Sequence, residues 1–253
     1  MDTTHLAAFA EASLPTLLSL LTVGDPDDRA DAACTLGDRL RTGEVDHLDP
    51  TACAALAHSL DDVSPIVRFE AAIALAEAHD ARAMGVLLAA MGQRVHRLDA
   101  IRALGTLGDG HAILPLRQLM GRMLLPWADR MQAAAALCAL GDTHGAAYLA
   151  SKSRSRKSAE RAFALHFVAE ARHPDALTIL QHVLLCPDDP LRDVAVRALG
   201  VLRDPSAIPV LQRIQPETSG ELRDDIAAAL ATLAGEGSHA VAMPTVLVRN
   251  PQP

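Results

Sequence analysis

Pro190-Leu191-Arg192-Asp193-Val194-Ala195-Val196-Arg197-Ala198-Leu199-Gly200-Val201-Leu202, continuing through Arg203-Asp204-Pro205-Ser206 to Ala207-Ile208-Pro209-Val210-Leu211, is the stretch from which the fold can be read. Leu191, Ala195, Ala198, Leu199 and Leu202 recur at three- and four-residue spacing, which puts them on one helical face that must be buried. Asp188 or Asp189 offers an N-cap, and Pro190 suits the first turn, where a missing N–H costs nothing. Arg203-Asp204-Pro205-Ser206 breaks the helix. Ala207 to Ile214 then opens a second, shorter one, with Pro209 early enough to be tolerated.

Outward from this unit the pattern repeats. Arg29, Arg68, Arg97, Arg130, Arg161, Arg192 and Arg223 are separated by 39, 29, 33, 31, 31 and 31 residues. Each is followed seven residues later by Leu36, Leu75, Leu104, Leu137, Val168, Leu199 or Leu230. A period in this range with a helical pattern specifies an all-α fold, a stacked α-solenoid of about seven helical hairpins. Alanine recurs three residues after the arginine (Ala71, Ala100, Ala133, Ala164, Ala195) and six after it (Ala74, Ala103, Ala136, Ala198). Small residues on one face let neighbouring helices approach to roughly 8–10 Å. Asp80, Asp109, Asp142 and Asp204 fall twelve after their arginines and suit caps for the next helix. Arg41 to Pro50 reads as a longer loop in the first step. Leu6 to Leu21 reads as a helix, a break near Ser13-Leu14-Pro15, and the first repeat's opening helix. Residues 1–237 are expected to be one solenoid domain, and residues 238–253 a flexible tail.

Composition narrows the function classes. Half of the 253 residues are hydrophobic but only 2% are aromatic, so the apolar mass is Ala and Leu, which favours closely packed helices over a β-rich core. A net charge of −8 opposes general affinity for nucleic-acid phosphates or anionic membranes. Cys34, Cys53, Cys138 and Cys186 form no CxxC pair and read as free thiols in a reducing compartment. Met1-Asp2-Thr3-Thr4-His5 lacks a secretory start and no apolar run approaches a membrane span, so a cytoplasmic location is expected.

The units around Arg192 and around Arg97 (Arg97-Leu98-Asp99-Ala100-Ile101-Arg102-Ala103-Leu104-Gly105-Thr106-Leu107-Gly108-Asp109) resemble HEAT-like repeats of the phycobilin-lyase type. The resemblance covers residues 14–234. It implies that the arginine helix is the second of each pair and lines the concave side. It also implies that the arginine pairs with an acid six positions earlier, which Asp62 before Arg68 and Glu217 before Arg223 satisfy. Met91 before Arg97 and Leu124 before Arg130 do not. Proteins of this repeat type include chromophore lyases, a di-iron hydroxylase and scaffolds, so fold alone does not choose the function.

Positions two, five and nine after each arginine point away from the buried stripe and should line the concave face. Two after gives Asp31, Glu70, Asp99, Gln132, Phe163, Val194 and Asp225. Five after gives Cys34, Ile73, Arg102, Ala135, His166, Arg197 and Ala228. Nine after gives Asp38, Glu77, Thr106, Ala139, Glu170, Val201 and Thr232. The partner-binding set expected from these is Glu70, Asp99, Arg102, Gln132, Phe163, His166 and Arg197, with Met131 beside them. An apolar centre with charged flanks is what a protein or peptide groove requires.

Two further features stand out. Ser151-Lys152-Ser153-Arg154-Ser155-Arg156-Lys157-Ser158 lies where the fifth unit's first helix is expected. Its cations Lys152, Arg154, Arg156 and Lys157 form a candidate anion site, although no aromatic residues are interleaved for base stacking. His111 and His144, each fourteen after its arginine, sit on adjacent turns with Asp109 and Asp142. A shared ion would need side chains leaning together across the repeat spacing, and no His-Glu dipeptide accompanies them. No phosphate loop, nucleophile elbow, zincin or dinucleotide motif occurs. The expectation is a non-catalytic scaffold or adaptor with no cofactor, no metal and no nucleic-acid partner. The alternatives are a lyase-like or metal-dependent enzyme, or nucleic-acid binding through residues 152–157.

Overall fold

The structure, a computed structural model, describes residue 9 and residues 11–235. Among these residues there are fourteen α-helices and no strand. They alternate between a partner helix and an arginine helix. The first pairs are α1 (Leu14–Val23) with α2 (Pro26–Thr42), and α3 (Pro50–Ser59) with α4 (Pro65–Glu77). The third and fourth are α5 (Met84–Met91) with α6 (Arg97–Leu107), and α7 (Ile113–Met120) with α8 (Trp127–Ala139). Then come α9 (Thr143–Lys152) with α10 (Ser158–Glu170), α11 (Ala176–Leu184) with α12 (Arg192–Leu202), and α13 (Ile208–Ile214) with α14 (Glu221–Leu233). Each arginine helix packs on the next, so α2 through α14 form one continuous layer of an α-solenoid.

Local chemistry explains the helix boundaries. Ser13, Asp25 and Asp49 cap α1, α2 and α3 through side-chain oxygens that accept backbone N–H groups, and each helix has proline in its first turn. At the other end of the repeat, the residue eleven after the arginine adopts a left-handed conformation in five successive units. These are His79, Gly108, Gly141, Arg172 and Arg203, with φ of 55, 75, 77, 48 and 52°. This ends the arginine helix and aims the following residue back at the chain. Asp80, Asp109, Asp142 and Asp204 then accept the N–H two residues on, at 2.9–3.0 Å, as their spacing predicts.

The small residues sit where the arginine helices touch. A Cβ placed on Gly37 would lie 3.0 Å from the Ala74 Cα, and one on Gly105 3.0 Å from the Ala136 Cα. Around these seams the buried residues form overlapping clusters, from Phe9 to Leu137, from Met131 to Ala176 and from Leu165 to Ala229.

Several expectations need correction. Helix α12 begins at Arg192, so Pro190 lies before it; Asp189 accepts the Leu191 N–H at 3.0 Å instead of capping a helix. The basic run does not stand in for a helix. Lys152 closes α9, residues 153–157 form the turn, and Ser158 opens α10. The longer loop is shorter than expected, because α2 extends through Thr42. The opening helix before Phe9 and the tail at 238–253 lie outside the described residues.

Candidate protein-binding surface

The recurrent arginines are structural, and their geometry shows how. Six of the seven guanidinium groups, those of Arg29, Arg68, Arg97, Arg130, Arg161 and Arg192, donate to a carbonyl at the end of the partner helix or the turn after it, groups that have no intrahelical acceptor role left to fill. Arg29 reaches Gly24 at 2.8 Å, Arg97 reaches Met91 at 3.2 Å, Arg130 reaches Met120 at 3.1 Å, Arg161 reaches Ser153 at 3.1 Å and Arg192 reaches Leu184 at 3.0 Å. Three of them also pair with a carboxylate of the next unit. Arg29 binds Asp62, Arg97 binds Asp129 and Arg161 binds Asp189, at 2.8, 3.0 and 2.5 Å. The expected pairing within a unit is therefore wrong. Asp62 gives its carboxylate to Arg29 and only its backbone carbonyl to Arg68, at 2.7 Å, and Glu217 forms no ion pair with Arg223 among the described residues.

With the arginines occupied, positions two, five and nine decide what the arginine-helix face presents. Arg102, Thr106, Gln132, Ala135, Ala139 and Glu170, with Gly105 and Ala136 as part of the floor, line one trough of about 170 Å³ across α6, α8 and α10. Glycine and alanine make the floor, so a backbone can approach closely, while Arg102, Gln132 and Glu170 stand at the rim. Arg102 is held by Glu77 of the preceding unit at 2.7 Å. His166 lies 3.2 Å from Glu170, which ties it to the same rim. Phe163 is half-buried beside it, with Trp127 edge-on at 5.2 Å between ring centroids and Phe167 at 6.2 Å.

The remaining predicted residues are placed elsewhere. Glu70 and Asp99 belong to an acidic patch with Asp31 and Asp38. Burial, then the charges of Asp99 and Asp38, push the Glu70 carboxyl above its ordinary value. In the same patch burial and then Glu70 push the Cys34 thiol up to about 12, which leaves it a thiol and no nucleophile. Arg197 pairs with Asp193 at 2.7 Å and with Asp225 of the next unit at 2.8 Å. Met131 is a correction, because it is fully buried. One position along a helix is a rotation of about 100°, enough to carry it from the face into the seam between helices.

The basic run is also partly neutralised. Glu160, buried at the start of α10, takes Lys152 at 2.8 Å and Lys157 at 3.1 Å, and these hydrogen-bonded lysines, Lys152 first, hold its carboxyl down at about 2. Arg154 and Arg156 remain exposed in the turn. His111 rests on Asp109 of its own turn at 2.7 Å, and His144 lies 3.6 Å from Asp142. Among the described residues no three His, Cys, Asp or Glu side chains converge as a metal-ligand group. Asp142 is instead taken by Arg117 of the preceding unit, whose Nε donates at 2.8 Å.

Sequence reasoning missed His173. It occupies the position of the turn aspartates, twelve after Arg161, and is 5% exposed. Its Nδ1 accepts the Asp175 N–H at 2.9 Å, as an aspartate oxygen would, and its Nε2–H donates to the Ala146 carbonyl of the previous unit at 3.1 Å. The repeat spacing alone could have marked it.

Residues 97–122 and 191–214 match the family model of the PBS lyase HEAT-like repeat, so the chain carries HEAT-like repeats of this type. It is similar in fold to a chain from the complex of CpcE and CpcF of phycocyanin lyase from Nostoc sp. PCC7120. The TM-score is 0.53 and the identity 19%, over 88% of this chain and 95% of that one. Human deoxyhypusine hydroxylase also aligns, with a TM-score of 0.39 and 19% identity over 92% and 97% of the chains. So does a computationally designed armadillo repeat protein for modular peptide recognition, at 0.35 and 17% over 87% and 99%. No curated protein matches the chain in sequence. No helix among the described residues is long and apolar enough to cross a membrane.

Proposed function

We propose that the chain is a non-catalytic scaffold or adaptor that binds a partner protein or peptide on the concave side of the solenoid, along its arginine helices. The trough across α6, α8 and α10 is the observation that carries this reading. Its volume of about 170 Å³ is below the ~300–1,000 Å³ typical of small-molecule sites, and its small-residue floor with a charged and polar rim suits a side chain or main chain of another protein. Arg102, Gln132, Phe163 and His166 are the residues expected to meet that partner, with Glu70, Asp99 and Arg197 flanking them.

Affinity capture from the native host with mass spectrometry tests the reading, run beside Phe163→Asp, Arg102→Glu and Gln132→Arg variants whose helicity is checked first. A partner retained by the wild type and lost in folded variants supports it. A partner retained by every variant removes the trough from consideration. A second reading, a lyase-like role, is favoured by the repeat type and by the likeness to the phycocyanin lyase chain. A bilin added to the purified protein would then show a saturable change in its visible absorption, and an unchanged spectrum counts against that role.

A further inference from the structure

Eleven large hydrophobic side chains stand exposed among the described residues, and nine of them lie on one edge, where each partner helix turns into its arginine helix. Single exposed apolar residues need no explanation, but a contiguous strip does. It is densest at the α7–α8 turn, and that turn and its two neighbours carry exposed arginines. The α5–α6 turn offers Arg94 and Val95, the α7–α8 turn Arg122, Met123 and Leu124, and the α9–α10 turn Arg154 and Arg156, all exposed. Met123 and Leu124 are 91% and 94% exposed, and Trp127 behind them is 41% exposed. Turns stacked at roughly 8–10 Å put the three over about 20 Å, the length of a helix of some four turns.

Charge identifies the occupant. The chain carries −8 overall, yet these turns present exposed arginines, while the turns on either side present exposed Asp61 and Asp188. We propose that this edge docks an acidic amphipathic helix of a partner protein. Its apolar face covers Val95, Met123, Leu124 and Trp127, and its carboxylates meet Arg94, Arg122, Arg154 and Arg156. A second copy of this chain on the same patch would set arginine against arginine. An anionic bilayer is flat and wide, so it would also meet Asp61 and Asp188. Nor could it follow the strip as it passes, through the contact of Trp127 with Phe163 at 5.2 Å, onto the arginine-helix face. A protein segment can do both, and the proposal rests on the protein-binding reading above.

The test is fluorescence anisotropy with the full-length protein and two synthetic amphipathic helices of about five turns. They share one leucine face and differ in a glutamate or a lysine polar face. The glutamate peptide is expected to bind about tenfold tighter or more, and Met123→Asp/Leu124→Asp and Arg154→Glu/Arg156→Glu are each expected to weaken it about tenfold. These side chains are exposed, so unchanged circular dichroism keeps the comparison fair. Equal binding of both peptides, or binding unmoved by either variant, overturns the proposal. Sedimentation with phosphatidylglycerol vesicles but no peptide preference overturns it in favour of lipid. A partner captured through the trough and indifferent to the edge variants would sink the edge and leave the scaffold reading standing. Peptide binding at the edge with no trough-dependent capture would sink the trough and leave the edge standing.

Discussion

His173 shows how one function in this fold is carried by different chemistry. Four units close their turn with an aspartate oxygen; the fifth uses an imidazole nitrogen and spends the other nitrogen on the neighbouring unit. His173→Ala is expected to cost about 1–3 kcal/mol, for a lost cap and a stranded Ala146 carbonyl, while His173→Asn keeps the cap and recovers about half. Urea unfolding of the three proteins checks this, and equal midpoints would contradict it. Glu160 makes a pH prediction. Its carboxyl is held at about 2 against an ordinary 4.5, so its contribution is full above 4.5 and is lost as pH falls through about 2. Glu160→Gln should therefore be less stable than the wild type at neutral pH by about 2 kcal/mol, with the gap closing in acid. A gap constant across that range would show that the charge is not responsible.

At the scale of elements, the sequence was legible where the controlling interactions are local. The 3.6-residue stripe and the turn aspartates depend on neighbours within a few residues, and they are where spacing puts them; Ser13 and Asp49, read as a break and a loop, turn out to be helix caps. Interactions between helices were not legible. Nothing near Asp62 says that its carboxylate belongs to Arg29, 33 residues away, and nothing near Lys152 says that Glu160 will claim it. Met131 was misplaced for a third reason, since a groove and a seam are one helical position apart. Seam geometry can be tested by adding one methyl group. On Gly105 it would press on the Ala136 backbone at 3.0 Å, whereas on Gly200 it would rest against Ala229 at 3.7 Å. Gly200→Ala should stabilise by about 0.5–1 kcal/mol through helix propensity, and Gly105→Ala should destabilise by about 1 kcal/mol or more. Thermal unfolding giving the same sign for both would refute the close approach of α6 and α8.

For the whole molecule, a continuous layer of arginine helices means that each unit is stabilised by its neighbours and none closes a core alone. Such an architecture offers a long surface, and the chemistry on it is unevenly distributed. Acids gather toward the first units, the trough and aromatic residues lie in the middle, and exposed arginines stand at the adjoining edge. The trough positions could be counted from the arginines, but which of them form a shared surface required the stack itself. The most direct test of partner binding there is site-specific photo-crosslinking in the native host, with the probe at Gln132 in the trough and, as control, at exposed Gln118 on partner helix α7. A defined partner crosslinked from Gln132 and absent from Gln118 is the predicted result; crosslinking from Gln118 alone, or equally from both, would contradict it.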